Sequence, residues 1–256
     1  RDYARAEPFY RRALQNQQKM LGADHAEVSK TLDGLGRLYR NARQYQKAEP
    51  LLQQALNNVQ NARGPEHPET ASAMNSLGEM HLAAGQSAKA APLLERALAA
   101  REKALPPEHP EVGTSLNNLA ALKASQGELT NARPLLERAL KIFETNGGTN
   151  DPSVAQCLNN LGDLHRALKD DAKAEPLLER ALKMKEQGLS PEDPSLVPTL
   201  NSLADLQAAK GDFAKAEPLA QRAQQLTEKA LGPEHPETAA SLTNLAGLYQ
   251  KMGNPA

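Results

Sequence analysis

The chain has no tryptophan, a single cysteine and few aromatic residues, 3% of its 256 positions. With Cys157 alone there is no internal disulfide framework, which suits a reducing compartment. So few rings argue against a large aromatic core or an aromatic cage. No apolar run approaches the ~20 residues of a membrane-spanning helix. Neither sign of charge dominates, the net being −1, so no global field draws the chain to nucleic acid or to an acidic membrane. Phosphate-binding glycine loops, serine elbows and zinc-ligand spacings are all missing. No secretory leader is present and a cytoplasmic location is expected. The chain opens at Arg1 in mid-pattern, so a native N-terminus upstream is expected too.

What is present is repetition. Pro8, Pro50, Pro92, Pro134, Pro176 and Pro218 fall 42 residues apart, and Ala6, Ala48, Ala90, Ala132, Ala174 and Ala216 keep the same step. A third column, Pro68, Pro110, Pro152, Pro194 and Pro236, marks the connecting loops, with Ala26 in its first slot. An unbroken period means stacked modules that pack on their neighbours, not one domain around one core. The abundance of Ala, Leu, Glu, Lys, Arg and Gln makes those modules helical. The fold class is therefore all-α, a solenoid of about twelve helices. The expected divisions are a lone second helix over 1–22, repeats over 23–64, 65–106, 107–148, 149–190 and 191–232, and a lone first helix over 233–256. It reads as a piece of a longer array.

The turns carry the boundaries. Gly85, Gly127, Gly211 and Gly253 occupy the slot where the first helix of a pair must stop in a left-handed residue. Second helices are expected to start near Tyr45, Ser87, Leu129, Asp171 and Phe213. Asp2 is expected to cap the opening helix. His67, His109, Asp151, Asp193 and His235 each precede a proline, and proline fits the first helical position because its missing N–H is not needed there. The four turn histidines, with His25, read as helix caps: lying a repeat or more apart, they cannot share one tetrahedral ion. The proline column, about six residues into each second helix, predicts a bend on the outer face. Cys157 shares its column with Thr31, Ala73, Ser115, Thr199 and Ser241, a small-residue packing slot and not a nucleophile's place.

The recurring pattern Leu116, Leu119, Ala120, Gly127, Ala132, Leu136 and Ala139 resembles the tetratricopeptide repeat. Its long form, with L-N-N-L-A, A-E-P-L-L-x-R-A-L and L-G-P-E-H-P, is similar to the repeats of kinesin light chains and their bacterial relatives. The resemblance implies a right-handed superhelix whose first helices line a concave, peptide-holding groove. It implies no kinesin partner, since no heptad coiled coil is present to join a motor.

Two asparagine columns need a reason, because asparagine is a poor mid-helix residue. One holds Asn75, Asn117, Asn159 and Asn201; the next holds Asn118, Asn160 and Asn244. The resemblance puts them on the groove floor, where an amide both donates to and accepts from a peptide backbone. The alternative is that one column bonds between neighbouring helices and only stiffens the stack. Lys30, Arg37, Arg40 and Arg166 are expected to line the groove one turn away. Residues 1–63 hold 11 Lys and Arg against 6 Asp and Glu, so acidic peptide residues are the expected preference.

These residues predict a non-catalytic scaffold for a protein or peptide ligand, with no catalytic residue, cofactor, metal, nucleic acid or membrane. The second reading is a structural or regulatory array, self-associating end to end within a larger signalling protein through Tyr10 and Leu14 at one end and Leu242, Leu245 and Tyr249 at the other.

Overall fold

In a computed structural model, residues 3–147 and 151–253 are described, and among them there are twelve α-helices and no strand. They alternate as first and second helices of a pair: α1 (Tyr3–Leu21), α2 (Ala26–Asn41), α3 (Tyr45–Arg63), α4 (Pro68–Ala83), α5 (Ser87–Ala104), α6 (Pro110–Ser125), α7 (Leu129–Gly147), α8 (Pro152–Ala167), α9 (Asp171–Gly188), α10 (Val197–Ala209), α11 (Phe213–Leu231) and α12 (Pro236–Lys251). The chain forms two compact units, residues 1–142 and 143–256. Within each, a helix packs on the one before it and the one after it. The all-α solenoid read from the period is the fold. Asp2, the expected first cap, lies outside the described residues.

Each first helix starts as its sequence dictates. Nδ1 of His25, His67, His109 and His235 accepts the backbone N–H two residues on at 3.1–3.2 Å. Asp151 and Asp193 do the same for Ser153 and Ser195 at 2.7 and 2.8 Å. One start differs from expectation. Pro194–Leu196 is a 3-10 turn and α10 begins only at Val197. Pro198 is the cause: it has no N–H to give the Pro194 carbonyl, so the Val197 N–H closes a tighter ring on that oxygen.

The stop between paired helices is left-handed at every repeat. φ is 73° at Gly85, 80° at Gly127 and 78° at Gly211, and the same slot holds Arg43 at 55° and Lys169 at 62°. The prolines of the first column, Pro8 to Pro218, lie inside the second helices, all exposed. Each leaves one carbonyl on the outer face, where water can take it.

Small residues bring the paired helices together. Ala48, Ala90, Ala132, Ala174 and Ala216 are fully buried. At Gly78 a Cβ would lie 2.7 Å from Leu94 Cδ2, so glycine lets that leucine lean into the seam. Leu52, Leu94, Leu136 and Leu178 fill the same position in successive second helices, each at most 2% exposed. Removing one to alanine is a loss of about 2–5 kcal/mol. On the outer side, second helices are tied one repeat apart by Arg138–Glu102, Arg180–Glu144 and Arg222–Glu186. These pairs are half-exposed and add little.

Tyr10 and Leu14, expected to lack neighbours, have them. The Tyr10 ring lies against Gly34, and Leu14 joins the cluster of Val28, Leu32 and Ala55. The outward apolar side chains of α1 are instead Phe9 and Met20, 76% and 82% exposed.

Candidate functional site

In the first unit, α2, α4 and α6 stand side by side with α3 and α5 behind them, and a cleft of about 350 Å³ opens between α2 and α4. Lys30 and Arg37 of α2 stand at it, with Ser29 and Asp33 on the same helix. From α4 come Ser72, Asn75, Ser76 and Glu79. Through the seam behind them reaches Arg101 of α5.

A polar ladder crosses the three first helices. Arg40 of α2 pairs with Glu79 Oε2 of α4. Glu79 Oε1 accepts from Asn75 Nδ2 at 2.8 Å and from Asn118 Nδ2 of α6. Asn118 Nδ2 also donates to Asn75 Oδ1 at 3.1 Å. In the second unit Asn159 Nδ2 donates to Asp163 Oδ2 at 2.8 Å, and Arg166 of α8 bonds Asp205 of α10 at 3.1 Å. Asn75 and Asn159 are thus buried and bonded within the array. Asn117, Asn118, Asn160 and Asn201 are half-buried, and Asn244 is exposed. Of the predicted cations, Arg40 and Arg166 are engaged by carboxylates of the next first helix. Arg37 lies 3.8 Å from Asp33 and Lys30 3.7 Å from Glu27, both cations exposed. The structure brings Arg40, Asn75 and Asn118 into one network and leaves Lys30 and Arg37 loosely held beside the cleft.

Two cations escaped the sequence reading. Arg101 is 4% exposed. Its Nη1 donates to Ser115 Oγ at 2.7 Å and to the Glu111 carbonyl at 3.0 Å, and Nη2 donates to Ser72 Oγ at 3.0 Å. Nε lies 3.3 Å from a Glu111 carboxylate oxygen without a hydrogen bond. In the second unit Lys185 repeats the arrangement, donating to Thr199 Oγ1 at 2.7 Å and the Ser195 carbonyl at 3.3 Å. Burial lowers the pKa of both cations, opposed by Glu111 for Arg101 and by Asp163 for Lys185. The signal was in the column: Val59, Arg101, Phe143, Lys185 and Thr227 share one position, and a cation in a slot that also takes Val and Phe demands a partner.

Two carboxyl groups are shifted the other way. Burial raises the pKa of Asp33 despite a hydrogen bond from Ser76 and the nearby Arg37. Asp163 is raised by burial as well, with Ser202 and Arg166 opposing. Three buried atoms at the first-unit cleft have no hydrogen-bond partner: Ser29 Oγ, Asp33 Oδ1 and Arg101 Nε.

Cys157 is fully buried, and desolvation pushes its thiol up to about 12. Among the described residues no group of His, Cys, Asp and Glu is placed to hold a metal ion. No helix among them is long and apolar enough to cross a membrane.

Comparison with known proteins agrees with this geometry. No curated protein sequence matches the chain. Among solved structures, BtubC (BKLC) from P. vanneervenii is similar at 25% identity and TM-score 0.68, over 92% of this chain and 94% of that one. A kinesin-light-chain-type chain of nearly identical TPR-like repeats from Podosopora anserina is similar at 26% identity and TM-score 0.61, over 81% and 98%. Rap protein, complexed with competence and sporulation factor, shares the fold at 16% identity and TM-score 0.67, over 98% and 71%. The tetratricopeptide repeat profile matches residues 1–60, 35–103, 111–187 and 196–256. With nearly every repeat accounted for by that profile, the chain belongs to the tetratricopeptide repeat family.

Proposed function

We propose that the chain is a non-catalytic scaffold that binds protein or peptide segments along the face of its first helices. The observation that carries this reading is the first-unit cleft: an open, polar recess between α2 and α4 with Lys30 and Arg37 beside it and buried groups still lacking partners. The family supports a protein-interaction role. Rap protein of the same fold is complexed with a factor of its own, and what this chain shares with it is the fold.

The recognition splits into two parts. Lys30 and Arg37 are exposed and only loosely paired, so they supply an acidic preference at the rim that weakens with salt. Arg40 and Arg166 contribute little to that preference, because Glu79 and Asp205 already engage them. Asn117, Asn201 and Asn244 are the asparagines proposed to meet a ligand. Asn75 and Asn118 hold first helices together, Asn159 bonds Asp163 within its own helix, and all three act on ligand only by keeping the face rigid. A random dodecapeptide display library panned on the whole chain tests the reading. Binders weakened by Lys30→Glu with Arg37→Glu, more so at low salt than at high salt, are expected. A library that yields no binder refutes it.

A second reading, self-association, is favoured by Phe9 and Met20 at 76% and 82% exposure and Leu242 at 47%. Sedimentation equilibrium over a wide concentration range decides it: concentration-dependent mass supports association, and a constant monomer mass refutes it.

A further inference from the structure

We infer that the cleft between α2 and α4 is a subsite for one primary carboxamide side chain, a glutamine or asparagine of the bound peptide; the inference rests on the peptide-binding reading above.

The cleft is unusual for its balance of charge. Three cations stand at it, Lys30, Arg37 and Arg101, and three carboxylates, Asp33, Glu69 and Glu79. These six formal charges sum to zero, and the acidic preference of Lys30 and Arg37 acts at the exposed rim, not inside the recess. What it offers is a set of unmet hydrogen-bonding groups. Asp33 Oδ1 is buried and takes no hydrogen bond. Ser29, 7% exposed, leaves its hydroxyl unbonded beside it, one turn earlier on α2. Arg101 lines the recess too: its Nη1 serves Ser115 and the Glu111 carbonyl and its Nε faces the Glu111 carboxylate, which leaves one Nη2–H beyond the bond to Ser72. A group that satisfies this cleft must therefore donate on one side and accept on the other.

Charged ligand groups fail that requirement. A carboxylate could accept from Arg101 but would bring a second negative charge to Asp33. An ammonium could donate to Asp33 but would bring a like charge to a guanidinium that is 4% exposed. In a recess of low dielectric both errors are costly. A carboxamide carries two N–H donors and a carbonyl acceptor on one planar group. Its NH₂ answers Asp33 and Ser29 while its oxygen answers Arg101. Ala26, Ala55 and Ala73 line the recess as well, leaving apolar room for the methylenes of a glutamine.

The test uses the whole chain and peptides recovered from the display library, made with fluorescein labels and varied one position at a time among Gln, Glu, Lys and Ala. The cleft-bound position is the one whose change alters the ¹³C-methyl signals of Ala26, Ala55 and Ala73. At that position Gln or Asn is expected to be favoured over Glu and over Lys by about tenfold or more, since a site left with unpaired polar groups discriminates strongly. Asp33→Asn is expected to erase the preference and raise the affinity of the Glu peptide, because only the repulsive charge is gone. Ser29→Ala, which removes one hydroxyl, is expected to weaken the Gln peptide several-fold and leave the Glu peptide unchanged. Peptides that bind with Glu or Lys equal to Gln at that position overturn the inference and leave the scaffold reading standing. So does binding that never perturbs the three alanine methyls. A library without binders overturns both.

Discussion

Replacing Arg101 with methionine should leave the stability of the array within about 1 kcal/mol of the natural chain, although Arg101 is a buried charge with four polar neighbours. Breaking a buried ion pair from one side commonly costs about 3–5 kcal/mol, because the partner is stranded in a low dielectric. Here the partner at risk, Glu111 Oε2, is buried beside Arg101 Nε but belongs to a side chain that can turn to water. The Glu111 side chain is 43% exposed and sits in the first turn of α6, where the helix dipole favours its charge. Ser115 Oγ and the Glu111 carbonyl, both bonded by Nη1, are four residues apart on one helix and can bond each other. Ser72 already donates to the Pro68 carbonyl at 3.1 Å. The lost charged hydrogen bonds are offset by the guanidinium no longer needing to be desolvated. Methionine fits, because the same slot holds Val59 and Phe143, 3% and 5% exposed. Arg101→Ala, which leaves a void, should fall about 2–4 kcal/mol below Arg101→Met. Urea unfolding followed by far-UV circular dichroism reads both variants. If Arg101→Met loses more than about 3 kcal/mol, the guanidinium is a structural post and the case for its being held ready for a ligand collapses.

Two further outcomes follow from backbone and charge. Arg43→Gly with Lys169→Gly removes two non-glycine residues from left-handed backbone, at φ 55° and 62°; each should raise stability by up to about 1 kcal/mol, the αL penalty less the entropy glycine adds to the unfolded chain, and a melting temperature that falls would refute the strain argument. Asp33 has its folded pKa raised by burial, so its ionisation opposes folding at neutral pH and that penalty vanishes below the ordinary carboxylate pKa of about 3.9; Asp33→Asn should therefore stabilise the chain at pH 7 and show no gain at pH 3, whereas an equal effect at both pH values would rule out the desolvation account.

How much of this was legible depended on whether a property is local. Turns are local: a proline, a capping side chain two residues before its target and a glycine at the stop fix a boundary with no help from afar, so α4, α6, α8, α11 and α12 begin at the residues that the columns pointed to. The exception, the 3-10 turn at Pro194, was legible too, had Pro198 been read against Pro194. The asparagines were not local. A column shows which residues share a face but not which atom crosses to the next helix. Asn118 bonds Asn75 and Glu79, 43 and 39 residues away, so the pairing links different columns and no comparison down a single column could find it. The ion pairs of Arg40 and Arg166 escape the columns for the same reason, since their carboxylate partners lie 39 residues on.

The two buried cations mark a chemical repeat longer than the one that builds the fold. Arg101 and Lys185 are 84 residues apart, two turns of the 42-residue period. Around them the same correspondence holds for His81 and His165, and for Ser115 and Thr199. The alternate repeats have Val59, Phe143 and Thr227 at the cation position. Packing alone cannot require this alternation, because Val, Phe and Thr fill the slot without a charge. The twins also differ in chemistry. Arg101 has a carboxylate beside it, whereas Ser195 stands where Glu111 would be and leaves Lys185 with neutral oxygens alone. A planar fork held by Ser72, Ser115 and Glu111 is fixed in direction; a single ammonium, its pKa lowered by burial, holds a point of positive charge with fewer demands on direction. One column thus buries two cations of different geometry, each desolvated and each held by hydrogen bonds to the first helix that follows it.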